Sequence, residues 1–192
     1  MATFCIFCSS SDAVNSVYKT AATQLGERMA QRGDALVYGG TDVGLMGAVA
    51  RAVNQGGGQV VGIIPQKIYD RGLGYDMAHE LVITPDMRER KRQMEVRSDA
   101  FIVLPGGFGT LEEAIEVLTL KQLQFHQKAI VFLNTDNFYA PLLDLFGHFY
   151  DHNFARSSHR ALYHVAPDVD AVFNYLDTYQ PQAIETKWFE KE

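Results

Sequence analysis

The chain has 192 residues, of which 47% are hydrophobic, 21% charged and 11% aromatic, and its formal net charge is −6. This length suits one domain that buries a core without disulfides or a structural metal, and we predict a single domain over 1–179 and a polar tail over 180–192. The acidic balance argues against a nucleic-acid surface, and two cysteines are too few for a disulfide scaffold. Because no apolar run reaches the ~18 residues of a membrane span and the N-terminus lacks a signal-peptide pattern, we expect a cytoplasmic protein that binds no membrane.

Short apolar runs alternate with longer amphipathic stretches along the whole chain. The predicted strands are Thr3–Phe7, Ala35–Tyr38, Gln59–Ile64, Leu81–Thr84, Ala100–Leu104, Ala129–Leu133 and Ala161–Val165. The predicted helices are Asp12–Gln31, Leu45–Gln55, Asp86–Arg97, Leu111–Gln124, Ala140–Asp151 and Asp168–Thr178. The segment 65–79 reads as a loop. Strands that are apolar on successive residues and alternate with helices predict an α/β fold, a Rossmann-like doubly wound parallel sheet flanked by helices.

Three strand ends carry small residues that leave backbone N–H groups open to a ligand. They are Cys8–Ser11, Gly39–Thr41 and Pro105–Thr110. Ligands of such sheets collect at the carboxyl ends of the strands, and helix N-termini attract anions, so we expect a phosphate-bearing ligand. The dinucleotide G-x-G-x-x-G pattern is missing after the first strand, and Leu45 and Met46 replace the Lys and Ser/Thr of a Walker motif.

The helix after the fifth strand offers two interpretations of Glu113. Thr110 and Glu113 have the spacing of a capping box, with Thr110 as the N-cap, and this gives Glu113 a purely structural role. The alternative is that Glu113 belongs to a ligand site. The predicted core face of this helix is Leu111, Ala114, Ile115 and Leu118.

A basic segment favours the site interpretation. Five of the seventeen basic residues fall within ten positions, namely Arg88, Arg90, Lys91, Arg92 and Arg97. They could form a solvated helix face with an Asp86–Arg90 ion pair. However, the apolar residues available to dock the body of this helix are Met87 and Met94, and Arg90 and Lys91 share a face with Met87. Cations on a docking face need an anionic partner. We therefore predict a site role for Arg90.

These residues resemble a known family. Residues 105–113, PGGFGTLEE, match the PGGxGTxxE signature of the LOG ("lonely guy") family, the cytokinin riboside 5′-monophosphate phosphoribohydrolases, and residues 87–91, MRERK, resemble its second motif. Blocks at 8–10, 38–40 and 44–47 also resemble the family in the same order, so that the resemblance covers about residues 3–150.

The resemblance implies an enzyme that hydrolyses the N-glycosidic bond of a purine nucleoside 5′-monophosphate, such as AMP or an N6-modified cytokinin riboside monophosphate, without cofactor or metal. It makes Arg90 and Glu113 catalytic. It makes ligand contacts of Glu80, Lys91, Gly106, Gly107, Phe108, Gly109, Thr110, Leu111, Glu112 and Thr119. The family is dimeric or hexameric with its site near a subunit interface, and we expect a homodimer.

The residue types suit this chemistry. Glycoside cleavage passes through an oxocarbenium-like sugar, which a carboxylate beside C1′ stabilises. A helix N-terminus and a nearby arginine would favour the ionised form of Glu113. Leu120 departs from the family, where tryptophan is common, so aromatic surface is lost at this position.

Other interpretations remain open at this point. The same fold could serve a non-catalytic carrier of a nucleotide or a molybdopterin-type cofactor, with Glu113 only a helix cap. The family is sometimes described as lysine decarboxylases, but no lysine of this sequence stands in a setting that suggests a covalent bond to a cofactor. Cys5 and Cys8, three apart on a strand, point to opposite faces and read as small buried hydrophobes. His148 and His152, four apart on a helix, lack a third metal ligand.

Overall fold

The computed structural model describes residues 1–185 and 188, and within them seven strands form one parallel sheet. The strands are β1 (Thr3–Phe7), β2 (Ala35–Tyr38), β3 (Val60–Pro65), β4 (Glu80–Thr84), β5 (Ala100–Val103), β6 (Ala129–Leu133) and β7 (His164–Ala166). Their order in the sheet is β4-β3-β2-β1-β5-β6-β7, so the chain leaves β1 toward one edge and later returns beside it to run toward the other. This confirms the predicted Rossmann-like fold, and the reversal point lies between β1 and β5.

Helices cover both faces of this sheet, as parallel strands require. They are α1 (Ser16–Arg32), α2 (Gly44–Gln55), α3 (Gln66–Tyr69), α4 (Met87–Val96), α5 (Phe108–Gln122), α6 (Ala140–Asp151) and α7 (Val169–Thr178). Two 3₁₀ turns, Thr135–Asn137 and Ser157–Leu162, flank α6. In the described part of the chain, no helix combines the length and the apolar composition needed to cross a bilayer.

The core is split by the sheet into two halves. Phe4 and Ile6 of β1 face the half formed with α1, α2 and α7, whereas Cys5 and Phe7 face the half formed with α4, α5 and α6. Cys8 joins the first half, so Cys5 and Cys8 lie on opposite sides as predicted, and both are buried free thiols.

Several element boundaries differ from those that the sequence predicts. The first helix begins at Ser16 rather than at Asp12, because Asn15 accepts a hydrogen bond from the Val17 N–H and acts as the N-cap. The short helix α3 lies inside the predicted loop 65–79. The last strand was predicted too early, since Ser157–Leu162 is a 3₁₀ turn and β7 starts only at His164.

The segment after α7 packs more than its polar composition suggests. Ile184 is partly buried against the core, and its carbonyl accepts a hydrogen bond from the Gln124 side chain. The prediction of a polar tail also covers residues 186, 187 and 189–192, which lie outside the described residues.

Candidate active site

A cleft of about 710 Å³ opens at the carboxyl ends of β1, β2 and β5, at the reversal point of the sheet. Its walls come from five places: the loop after β1, the loop after β2, the short helix α3 with the loop that follows it, α4 and the start of α5. It thus brings together Arg90 and Glu113 with the glycine loop, residues that are far apart in sequence. All three strand ends that the sequence singled out contribute to it.

Arg90 and Glu113 form a buried ion pair at the floor of the cleft. The Arg90 Nη1 atom donates to Glu113 Oε1, and the two side chains are only 7% and 10% exposed. Arg90 Nε also donates to the Ile63 carbonyl, 3.1 Å away. This fixes the guanidinium on two sides, and a buried pair of this kind is costly unless each charge is well partnered.

The backbone around Arg90 leaves just enough room for its side chain. Gly39 lies against the guanidinium, where a Cβ atom would overlap Nη2. On the sheet side, Met94 anchors α4 and is 1% exposed, whereas Met87, the other predicted docking residue, is 44% exposed at the cleft. The interpretation of a solvated Asp86–Arg90 pair is wrong, because Asp86 is the N-cap of α4 and accepts from the N–H groups of the next turn.

The start of α5 is open toward the cleft. The helix begins at Phe108 with Gly107 as N-cap, and no side chain caps it. The predicted capping box is therefore wrong: Thr110 lies inside the first turn, and Glu113 turns to Arg90 instead. With the cap lacking, the N–H groups of the first turn stay available to an anion. Gly106 packs so closely on Thr110 that a Cβ atom there would overlap its side chain.

The second glycine-rich loop differs because protein groups already occupy the N-terminus of α2. The Gly44 N–H donates to Asp12 Oδ1 at 3.1 Å, and the Leu45 N–H donates to the Ser9 carbonyl at 2.9 Å. Gly44 has a φ of +58°, and a Cβ atom there would collide with the backbone of Ser10. This loop shapes the cleft wall but offers few free donors.

Two features of the cleft shift the pKa of Glu113 in opposite directions. Burial raises the pKa of its carboxyl above the ordinary value, and the Arg90 guanidinium lowers it and offsets part of that shift. The expectation that the helix N-terminus and the arginine favour ionised Glu113 left out the effect of burial, which favours the protonated form. Burial also raises the pKa of the Cys8 thiol, so this cleft-lining cysteine stays protonated and is a poor nucleophile.

Several residues implied by the resemblance lie beside the cleft or away from it. Lys91 pairs with Glu112 and, at 2.9 Å, with Glu116, in a neighbouring hollow that also contains Leu120. Leu111 is partly buried beneath the same helix turn. On α5 itself, Ala114 and Leu118 are buried as predicted, but Ile115 is 37% exposed and Val117 takes its place in the core.

Two of the implied contacts lie clearly outside the cleft of this chain. Glu80 is the first residue of β4, so it lies at the amino ends of the strands, whereas the cleft lies at their carboxyl ends. It forms an ion pair with Arg97 at 2.8 Å. Thr119 faces a hollow between α5 and α6, and its hydroxyl donates to the Ile115 carbonyl at 2.8 Å. Neither residue therefore reaches a ligand bound in the cleft of its own chain.

The cleft also contains residues that the sequence did not single out. Arg71, just after α3, lines it, and Met46 and Thr41 contact each other in its wall. Phe108 stands at the rim and is 94% exposed. A signal for Arg71 exists in the sequence, since it lies in the loop that follows the carboxyl end of β3, where ligands of such sheets are bound.

The described residues contain no group of three His, Cys, Asp or Glu side chains able to hold a metal ion. The rings of His148 and His152 stack on each other at 6.0 Å on α6, away from the cleft.

The fold and the cleft define a class, the Rossmann-like α/β proteins that bind a ligand at the reversal point of the sheet, here with an anion-accepting helix N-terminus and a buried Arg–Glu pair. A family model described as "Possible lysine decarboxylase" matches residues 46–176. A rice (Oryza sativa subsp. japonica) protein described as "Probable cytokinin riboside 5′-monophosphate phosphoribohydrolase LOGL2" is 42% identical over 178 residues, 93% of this chain and 73% of that protein. The cytokinin riboside 5′-monophosphate phosphoribohydrolase LOG5 of Arabidopsis thaliana is 41% identical over 92% of this chain and 78% of its own length. The chain belongs to this LOG family of phosphoribohydrolases.

Solved structures share the fold at lower identity. The molybdenum cofactor binding protein from Rippkaea orientalis superposes with a TM-score of 0.73 at 21% identity, over 92% of this chain and 96% of that one. The molybdenum cofactor carrier protein of Chlamydomonas reinhardtii gives a TM-score of 0.70 at 20% identity, over 92% and 96%. At this identity the likeness shows a common fold and leaves the alternative of a carrier without specific support.

Proposed function

We propose that this protein hydrolyses the N-glycosidic bond of purine nucleoside 5′-monophosphates, cytokinin riboside monophosphates and AMP among them, and releases free base and ribose 5-phosphate. The observation that carries the proposal is the buried Arg90–Glu113 pair beside an uncapped helix N-terminus. Burial of this pair carries a desolvation cost, and its place in the lining of the cleft puts both side chains beside a bound ligand. The names of the relatives support the same reaction.

The substrate phosphate is placed at the N-terminus of α5 in this proposal. The first-turn N–H groups that follow Gly107 and the positive end of the helix dipole both favour a dianion. A phosphate held there directs the ribose along the cleft toward Glu113, which stands on the next turn of the same helix.

Glu113 then acts on the anomeric carbon. As the bond from C1′ to the base nitrogen breaks, its electron pair goes to the base and positive charge develops on the sugar, which the Glu113 carboxylate stabilises. Water adds to C1′, and its proton passes to Glu113 and on to the departing base. A carboxyl whose pKa burial has raised is a better proton acceptor than an ordinary one. Arg90 orients Glu113 and holds sugar hydroxyls.

The lysine decarboxylase description of the family model has no matching feature in the cleft. None of the described residues that line it is a lysine. Decarboxylation through a lysine-bound cofactor therefore lacks the amine that would hold such a cofactor there.

The proposal is tested by following base release from AMP and from isopentenyladenosine monophosphate by chromatography. Glu113→Gln keeps the shape of the side chain but removes its charge and basicity, and we expect a loss of kcat of about 10²–10³-fold. Glu116→Gln, on the next turn of the same helix and outside the cleft, is the matched control and should keep nearly full activity. If Glu113→Gln cleaves as fast as this control, the assigned site is wrong. Thermal stabilisation by AMP without base release would instead support a carrier.

We further propose that the protein works as a homodimer in the cytoplasm. Large apolar side chains are exposed together on α5, α6 and the loop after α6, namely Ile115, Leu145, Phe149 and Phe154. Patches of this kind favour association. Thr119 lies in the same hollow, so a partner docked there would bring it toward that partner's ligand, as the resemblance implies. Light scattering of wild type and Phe149→Glu tests this: a dimer that becomes a monomer supports it, and a wild-type monomer contradicts it.

A further inference from the structure

Lys121 is a buried amine that the proposed reaction does not use. It lies at the end of α5 farthest from the cleft, and Lys121 is only 2% exposed. Within the described part of the chain its Nζ atom makes no hydrogen bond and no ion pair. Its nearest aromatic contact is the ring of Tyr179, whose centroid is 5.1 Å from Nζ. An amine in this position lacks the partner that buried cations ordinarily have.

A separate cavity of about 270 Å³ adjoins this amine. It is lined by the end of α5, by residues 161–164, by α7 and by the residues after α7, and it shares no lining residue with the cleft. Aromatic rings form much of its wall: Tyr163, Tyr175 and Tyr179, with His164 stacked on Tyr175 at 4.0 Å between ring centroids and 5° between planes. The described lining holds no carboxylate.

The charge of this cavity selects the ligand class. Burial lowers the pKa of Lys121 to about 8, so at neutral pH the amine still carries a proton and a single positive charge. Burial also lowers the pKa of His164, which leaves that ring neutral at pH 7. One cation surrounded by neutral rings and the amides of Gln180 and Gln182 balances one negative charge, whereas a dianion would leave a buried charge uncompensated.

We propose that this cavity, with Lys121 at its base, is a second ligand site that binds a small aromatic monocarboxylate. The carboxylate supplies the missing acceptor for Nζ, and the planar body of the ligand packs on the tyrosine rings. Because Lys121 and Glu113 stand on the same helix, the site has a direct structural link to the cleft, but its occupancy does not depend on the reaction proposed there.

The test uses benzoate as the probe and calorimetry or ligand-detected NMR as the readout, on the full chain without nucleotide. Benzoate should bind wild type, and the isosteric neutral benzamide and inorganic phosphate should bind at least tenfold more weakly. Lys121→Met should weaken benzoate binding at least tenfold, and Lys121→Gln serves as a second variant should the first fail to fold. Lys67→Met removes an exposed lysine on α3 and is the matched control, expected to bind like wild type.

Each contrary outcome overturns the proposal. Absence of benzoate binding to wild type at millimolar concentration does so directly. Equal binding of benzamide shows that the carboxylate is not recognised. Unchanged binding to Lys121→Met places the probe elsewhere. Glu113→Gln should bind benzoate as wild type does, which separates a failure of this site from a failure of the proposed reaction.

Discussion

The two ends of α5 carry buried charges in opposite situations. Near its start, Glu113 is paired with Arg90 at the floor of a large cleft. Toward its end, Lys121 is just as buried but has no hydrogen-bond partner among the described residues, and it borders a smaller cavity. Burial alone therefore does not define a catalytic group. What distinguishes Glu113 is a partner that keeps it oriented and an open helix N-terminus close by.

Breaking the Arg90–Glu113 pair near the start of α5 should have the largest effect on stability. Arg90→Met leaves the Glu113 carboxyl buried without its guanidinium, and removal of one partner of a buried pair costs about 3 kcal/mol. We expect that loss in the free energy of urea unfolding, together with loss of base release. The double variant Arg90→Met, Glu113→Leu removes both charges and should recover part of the stability without activity. If Arg90→Met is as stable as wild type, the pair does not hold α4 to α5.

The open N-terminus gives a second, smaller effect. Gly109 has free space where a Cβ atom would stand, so Gly109→Asp should fold, and its carboxylate at the helix start should even stabilise the helix slightly. The same negative charge repels the substrate phosphate, and we expect the KM for AMP to rise about tenfold, roughly 1.4 kcal/mol. Gly109→Asn is the neutral control. An equal rise in KM for Asn and Asp would show that size, not charge, is responsible.

The pH dependence of the reaction reports on the paired end as well. Since burial raises the pKa of Glu113 and the base form is required, kcat/KM should fall with decreasing pH around an apparent pKa above the ordinary carboxyl value. Arg90 lowers this pKa, so Arg90→Lys, which keeps the charge but loses the fixed fork, should shift the acid limb upward. An acid limb at or below the ordinary carboxyl value would contradict the role of Glu113 as the base.

At Lys121, near the end of α5, the expected change in stability has the opposite sign. Lys121→Met replaces a charge that has no hydrogen-bond partner with an apolar side chain of similar length, and should stabilise the fold by about 1 kcal/mol at pH 7. The folded pKa of Lys121, about 8, lies below that of the unfolded chain, so the unfolded state binds the proton more tightly. The advantage of the variant should therefore shrink as pH rises above 8. Destabilisation by Lys121→Met at pH 7 would contradict an unpaired amine.

Much of the fold could be predicted from local patterns. β1, β2 and β6 have the bounds that their apolar runs predicted, because a parallel strand covered on both faces must be apolar at successive residues. Boundaries set by caps were less predictable. Thr110 and Glu113 have the spacing of a capping box, yet the helix begins at Phe108, and the Glu113 carboxylate accepts a hydrogen bond from Arg90 of another helix.

The candidate site divides in the same way. The sequence pointed to Arg90, Glu113 and the glycine loop, and the structure brings them into one cleft. Arg71 follows the carboxyl end of β3, which is a signal for a ligand-binding loop, but the loop sequence alone does not show that its side chain turns into the cleft. Lys121 escaped prediction for a similar reason: a lysine in the last turn of a helix ordinarily reaches solvent, and only the packing of β7, α7 and the following residues over it makes a cavity.

Hydrophobic periodicity and backbone room are local properties of a chain, so the sequence was enough to predict the sheet, the two glycine-rich strand ends and the family motif. Which helix N-terminus stays open depends instead on contacts between segments that are distant in the chain. That of α2 is closed by Asp12 and Ser9, and that of α5 is left free beside a buried ion pair. The physical reason is that hydrogen-bond partners from distant segments are assigned only when the chain folds, and a donor becomes a binding group only where the fold leaves it unpaired.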